Sequence, residues 1–424
     1  MSDIPSVSKA LVKLSAFSLA ANGFLTLGGH ARLMSTPTPN GIVIAGGGLA
    51  AQRCAETLRR SGYDGPIRML CAEAHRPYDR PPLSKELLQG TCADDALSFR
   101  AQDWYGDHDI ELLLGTEATS LEVTDRRVGL SSGETLRYDR LLIATGSRPR
   151  TLPMLDGGAN VSVLRTLDDA TRLREVLGQR PHLAIIGAGF IGQEVAATAR
   201  RLGAEVTMIE AAPTPLHGIL GEQLGSWFSQ LHAEEGVTVL TNTSVTAADA
   251  NGQVNALTVG DGRRIELDHI VVGVGAQPEI EWLRDSGLAS GGGVHVDPHG
   301  RTAIPDVFAA GDAAATYDAE HRSHVPGSHW EAAGRQGARA AKAMLGLEPG
   351  DAPVTSFWTD QYGIRIQYLG RARLADRVEL DGDPATRNFT AIFSRAGRPV
   401  AALLVDRPRS LPAARKLIQH GGQQ

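Results

Sequence analysis

The apolar positions of the chain fall into short buried-strand runs separated by helical patterns, and one arrangement occurs twice. Gly41 to Ala45 (GIVIA) reads as a buried strand, Gln52 to Ser61 as a helix ended by Gly62, and Ile67 to Cys71 as a second buried strand. Leu183 to Ile186, Phe190 to Leu202 and Glu205 to Ile209 repeat that order about 140 residues later. Between the two copies, Glu111 to Leu130 carries short strand signals and Arg140 to Thr145 is another apolar run. Alternating strands then run from Val237 to Val274, ending in Ile270-Val271-Val272. Gly291-Gly292-Gly293 marks a loop. Pro305 to Asp312 reads as a strand running into a Gly-Asp turn, and Glu331 to Met344 as a long amphipathic helix closed by Gly346. A Glu348–Pro353 linker precedes alternating strands and one final helix over Thr355 to Ile418.

Each strand–helix–strand copy opens its helix with a glycine-rich turn. The first is Gly46-Gly47-Gly48-Leu49-Ala50-Ala51 and the second Gly187-Ala188-Gly189-Phe190-Ile191-Gly192. In such a turn the first glycine permits the bend and the second lets backbone approach a pyrophosphate. The third small residue lets helix and strand pack closely. The helix N-terminus adds free N–H groups and a positive dipole. One copy is weak evidence; two complete copies point to two Rossmann-like dinucleotide-binding units in an α/β chain. An acid at the end of the second strand hydrogen-bonds ribose hydroxyls. In the second unit that acid is Glu210, followed by Ala211, Ala212 and Pro213, so no arginine awaits a 2′-phosphate and NADH is favoured over NADPH. In the first unit the candidate is Glu73, with Ala72 before it.

Composition narrows the classes. The 424 residues are 42% apolar and 21% charged, ordinary for a folded chain of two to three domains. The net charge of −6 disfavours nucleic acid as the main ligand. Cys54, Cys71 and Cys92 form no Cys-x-x-Cys motif and no zinc ligand set, so no metal site is expected and a reducing cytoplasm fits best. Leu14 to Gly29 is too short and too polar to span a bilayer. Residues 1–37 are expected to be a leader, dispensable at least to residue 33, with Met34 a plausible start.

Pro77-Tyr78-Asp79-Arg80-Pro81-Pro82-Leu83-Ser84-Lys85 is specific enough to identify a family. It resembles a hallmark of the FAD-dependent NADH:ferredoxin reductases that serve oxygenase systems, within the pyridine nucleotide-disulfide oxidoreductase superfamily. Ala144-Thr145-Gly146-Ser147-Arg148-Pro149-Arg150, Val307 to Asp312, and Phe357-Trp358-Thr359-Asp360-Gln361-Tyr362 continue the resemblance in order. It implies a glutathione-reductase-like fold. An FAD-binding domain would be assembled from residues 38–150 and 274–347, an NAD-binding domain would span 151–273, and a C-terminal α+β reductase domain 348–424.

The resemblance also assigns roles. Gly46, Gly48, Leu49 and Ala50 hold the FAD pyrophosphate, with Glu73 the replacement for an acid usual at Ala72. Arg80 and Arg150 neutralise or orient FAD, Ala118 contacts adenine through its backbone, and Asp312 meets the ribityl chain. Trp330 and Trp358 lie near the isoalloxazine, and Lys85 beside it is expected to pair with Glu194. Gly187, Gly189, Phe190, Ile191, Gly192, Glu210 and Gly275 serve NADH. An Arg-x-Glu common before Trp330 is replaced here, at Pro326 and Ser328, which bears on partner docking.

Disulfide reductases on this scaffold store electrons in a cysteine pair, whereas this chain has Pro82, Leu83, Ser84 and Lys85 in the matching stretch. Electrons therefore leave FAD directly for an outside acceptor. The implied function is transfer from NADH through FAD to a [2Fe–2S] ferredoxin feeding a cytochrome P450 or a ring-hydroxylating dioxygenase. A rubredoxin reductase, an NADH oxidase or diaphorase, and a non-enzymatic NADH sensor resembling apoptosis-inducing factor are the alternatives. No membrane association is expected, and the protein is read as a monomer or homodimer. From Arg371 onward ten basic residues face five acidic ones, which suits an acidic ferredoxin.

Overall fold

The computed structural model describes residues 40–318, 322–327, 329–350, 354 and 356–421. The expected leader with Met34, and Ser328, lie outside the described residues.

Five strands form the first sheet in the order Val307–Ala309, Arg140–Ile143, Ile42–Ala45, Ile67–Cys71, Ile110–Leu114, every pair parallel. A parallel sheet covered on both faces needs continuous apolar runs, and all four residues of Ile42–Ala45 are buried. Helix Leu49–Arg60 starts directly after Gly48, three residues before the start read from the sequence. Leu49 to Ala51 already have helical geometry because the glycine turn itself forms the N-cap. Helix Trp330–Met344 crosses it so closely that a Cβ on Gly337 would lie 2.0 Å from the Ala50 carbonyl oxygen. That glycine lets the two helix backbones touch.

The second sheet has the order Thr238–Leu240, Glu205–Ile209, His182–Ile186, His269–Val272, Val161–Ser162, again parallel. The chain enters this unit after Ser147–Pro149 and returns through Ala276–Pro278, and these two segments pair as an antiparallel ribbon. The return strand Val307–Ala309 then completes the first sheet.

Two helices here have no counterpart in the pattern reading. Leu167–Leu177 carries a capping box between Thr166 and Asp169, the local signal that marks its start. His217–Glu234 is broken at Gly221 and holds three glycines, which mask its helical period. Gly225 is required by packing, since a Cβ would lie 2.1 Å from Thr214 Oγ1. Leu220, Leu224, Phe228 and Leu231 of this helix share a core with Phe357, Ile366, Phe389 and Leu403. Those residues belong to the C-terminal antiparallel sheet, ordered Ser356–Gln361, Ile364–Gly370, Arg398–Val405, Asn388–Arg395, Arg377–Asp383. The C-terminal sheet thus packs on the second nucleotide unit. Among the described residues, no helix is long and apolar enough to cross a membrane.

Candidate active site

Both glycine turns are shaped by backbone crowding on one side and open space on the other. Gly46 has φ +132°, and a Cβ there would stand 2.1 Å from the Ala144 carbonyl oxygen. Gly187 has φ +100°, with a Cβ 2.4 Å from the Gly273 oxygen, and Gly192 would meet the Gly187 oxygen at 2.2 Å. Gly48 and Gly189 differ: a Cβ on either would meet nothing within 4 Å. No internal contact demands glycine at these two positions, so the space over them suits a ligand. Each is the N-cap of a 12-residue helix and makes no side-chain cap, which leaves the first N–H groups of Leu49–Arg60 and Phe190–Arg201 for an anion.

A cavity of about 970 Å³ opens from the first turn along the carboxyl ends of the first sheet's strands. It is at the large end for ligand sites, which run from about 300 to 1,000 Å³. Gly46, Gly48, Ala72, Glu73, Arg80 and Ala118 contribute to its wall. The Glu73 carboxylate accepts hydrogen bonds from the Tyr78 hydroxyl at 2.6 Å and from Arg80 at 2.7 Å. Arg80 also donates to the Arg165 carbonyl at 2.5 Å. Arg150 is exposed and outside this wall, its guanidinium donating to the Ala276 carbonyl at 3.3 Å. Arg148 and Arg165 line the cavity instead. Arg165, which the sequence reading missed, donates to Asp312 at 3.2 Å, and Ser147 donates to the same carboxylate oxygen at 2.9 Å. Its one local signal is its place immediately before the Thr166–Asp169 capping box.

Glu210 braces the second turn. Its carboxylate accepts the Ala188 N–H at 2.7 Å and the Ala212 N–H at 2.8 Å. Gly275, at φ +104°, accepts the Arg150 N–H at 2.9 Å beside the ribbon. The Phe190 ring packs on Phe357 with centroids 4.5 Å apart, while Ile191 is largely exposed.

Three parts of the chain converge on Glu194. Lys85 Nζ lies 2.9 Å from Glu194 Oε1, Thr359 Oγ1 donates to the same oxygen at 2.7 Å, and Ser84 donates to Oε2. Lys85 and Glu194 are 6% and 4% exposed, so each charge depends on the other. Trp330 and Trp358 meet edge to face at 5.4 Å. The Trp330 indole N–H donates to Asp79 at 2.5 Å, and burial pushes the Asp79 carboxyl above its ordinary value against that bond. All three cysteines are free thiols. Cys71 lines the cavity, but burial pushes its thiol up to about 12, so it is protonated at neutral pH.

A family model described as pyridine nucleotide-disulphide oxidoreductase matches residues 40–337. The chain belongs to that family. A second model, described as reductase C-terminal, matches residues 356–424. The ferredoxin–NAD(+) reductase component of the anthranilate 1,2-dioxygenase system of Burkholderia cepacia is 39% identical over 382 residues, 90% of this chain and 94% of that protein. The ferredoxin–NAD(+) reductase subunit of the benzene 1,2-dioxygenase system of Pseudomonas putida is 36% identical over 381 residues, covering 90% and 92%. Putidaredoxin reductase in its covalent complex with putidaredoxin superposes with a TM-score of 0.87 at 33% identity, covering 90% of this chain and 93% of that one.

Proposed function

We propose that the protein is an NADH-dependent ferredoxin reductase that passes electrons through FAD to a [2Fe–2S] ferredoxin of an oxygenase system. The observation that carries this reading is the pair of open, uncapped glycine turns, Gly46–Gly48 and Gly187–Gly189, in a chain whose family relatives are ferredoxin reductases. A bound flavin supplies hydride acceptance from nicotinamide and release of electrons one at a time.

The chain's own residues bind and orient. The N–H groups after Gly48, with Arg80, would hold the FAD pyrophosphate, the Ala118 backbone the adenine, and Asp312 the ribityl hydroxyls. Arg165 and Arg148, rather than Arg150, would supply positive charge along the cavity. Trp330 and Trp358 would cover the flavin ring, Trp330 anchored by its bond to Asp79 and meeting Trp358 edge to face. In the second unit the Gly189 turn would take the NADH pyrophosphate. Glu210 keeps acceptor capacity for ribose hydroxyls, and its charge repels a 2′-phosphate. Lys85 Nζ is held between Glu194 and the Pro81 carbonyl, which it reaches at 3.1 Å. With Cys54 and Cys71 buried and held in the thiol form, no dithiol relay competes with direct electron release.

Purified protein with bound FAD is tested for NADH-driven cytochrome c reduction with and without an added [2Fe–2S] ferredoxin. A rate that depends on ferredoxin supports the reading. Equal rates without it favour a diaphorase, and slow flavin reduction by NADH favours a sensor.

A further inference from the structure

Behind the second glycine turn lies a buried polar chain that the proposed chemistry does not use. The Ala188 carbonyl accepts a hydrogen bond from Gln193 Nε2 at 2.9 Å. Gln193 Oε1 lies 3.2 Å from His232 Nε2, and His232 Nδ1 lies 2.6 Å from the Tyr362 hydroxyl. Gln193 and His232 are both 0% exposed. The carbonyl at one end sets every direction. A carbonyl only accepts, so Gln193 presents its NH₂ to Ala188 and its oxygen to His232. The imidazole must then donate from Nε2, and its neutral form accepts the Tyr362 O–H at Nδ1.

The far end is held under backbone strain. Tyr362 and Gly363 have φ +52° and +79° and form the two-residue turn between strands Ser356–Gln361 and Ile364–Gly370. A tyrosine at the first position of such a turn is unfavourable compared with Asn or Gly. Its hydroxyl reaches across to His232, and the two rings lie 5.3 Å apart at 73°. The chain thus joins three elements: the nucleotide turn, helix His217–Glu234 and the first hairpin of the C-terminal sheet.

We infer that the Tyr362–His232–Gln193 chain positions the phosphate-binding turn of the second unit, so that the C-terminal sheet tunes affinity for the nicotinamide dinucleotide. The inference rests on the reading that NADH occupies that unit. Residue Ala188 is held through both of its peptide groups, its N–H by Glu210 at 2.7 Å and its carbonyl by Gln193 at 2.9 Å. A change of support at His232 therefore moves the peptide between Gly187 and Gly189. His232 touches no reacting group; it is a positioning residue acting through Gln193.

The full-length, FAD-loaded protein is compared with His232→Leu, His232→Gln and Tyr362→Phe. FAD content is read from visible absorbance, NAD⁺ affinity from calorimetry, and KM for NADH and kcat with ferricyanide as acceptor. His232→Leu leaves Gln193 Oε1 without its donor, and about a tenfold rise in the NAD⁺ Kd and the NADH KM is expected, with kcat and FAD content unchanged. His232→Gln keeps a donor and an acceptor and restores most of the affinity. Tyr362→Phe removes only the outer link and raises Kd by about threefold. If His232→Leu does not fold, Tyr362→Phe decides. Native NAD⁺ affinity, within twofold, in His232→Leu, or in Tyr362→Phe if His232→Leu does not fold, overturns the inference while leaving the proposed function intact. Failure of the native protein to bind NAD⁺ overturns that reading and this one together.

Discussion

Lys85 and Glu194 meet at 2.9 Å across the two glycine-turn units, and Thr359 of the C-terminal sheet closes on the same carboxylate oxygen at 2.7 Å. One buried ion pair therefore ties together the three parts of the chain. Removing one partner of such a pair strands the other, which costs more than the pair contributes. Lys85→Met is expected to destabilise the protein by about 3 kcal/mol and to slow flavin reduction by NADH, while FAD stays bound. Lys85→Met with Glu194→Gln should recover most of the stability but not the reduction rate. Thermal unfolding and stopped-flow reduction of the single and double variants check both statements.

Glu210 has two duties, and its replacement should reveal both. As the acceptor for Ala188 and Ala212 it shapes the turn, and as a carboxylate it excludes a 2′-phosphate. The native protein should show a kcat/KM for NADH well above that for NADPH. Glu210→Ala with Ala211→Arg is expected to reverse the preference, and to lower kcat/KM for NADH at least tenfold because the turn loses its brace. A native ratio at or below one would sink the assignment.

Acid stability should depend on His232. Burial drives its pKa down from the ordinary value to about 4, with the nearby Gln361 carboxamide opposing the shift. Gln193 and Tyr362 also face the ring, and Glu235, Arg200 and Arg387 act on Tyr362 from the rim. The unfolded chain, with a histidine pKa of about 6.5, binds the proton more readily. The neutral histidine's contribution is therefore complete above about pH 6.5 and is lost as pH falls toward 4. Between pH 7 and 5 this amounts to about 2 kcal/mol. Thermal unfolding of the native protein should fall further over that interval than that of His232→Gln. Parallel losses would count against the neutral buried ring.

The basic C-terminal segment is available to a partner only in part. Arg407 donates to Asp381 at 2.5 Å and to Asn388 at 2.9 Å, Arg387 pairs with Glu234 and Glu235, and Arg415 with Glu331. Arg398 and Arg409 are exposed and show no ion pair among the described residues. The second-order rate of ferredoxin reduction should fall as salt rises, because screening acts over about 8 Å at physiological ionic strength. Arg398→Glu with Arg409→Glu should flatten that dependence, whereas Arg407→Glu should mainly weaken the sheet. A rate indifferent to salt and to the paired reversal removes this face from docking.

The two glycine turns and Glu210 were legible because their chemistry is local. Strand, turn, helix and acid fall within about 30 residues, and Gly192 answers to the Gly187 backbone inside that stretch, whereas Gly46 and Gly187 answer to Ala144 and Gly273 just past the neighbouring strand of each sheet. Lys85 was singled out through the family's motifs, and its pairing with Glu194 through the places of the two residues in the two units. The sequence alone also argued against the relay of the disulfide reductases, since Pro82, Leu83, Ser84 and Lys85 occupy the matching stretch. Tertiary structure decided the rest. His232 meets Gln193 and Tyr362, residues 39 and 130 positions away, only because helix His217–Glu234 packs under the C-terminal sheet. That helix was obscured by glycines whose purpose, at Gly225, is a contact with Thr214 Oγ1. Arg407 reads as a solvated charge and turns out to be committed to Asp381, on the edge strand Arg377–Asp383 two strands away from the one it follows. Periodicity and turn residues encode what a segment becomes, because those preferences act between neighbours along the chain. Which buried polar group finds which partner is set by how the sheet and helix faces pack, and no short stretch of sequence carries that information.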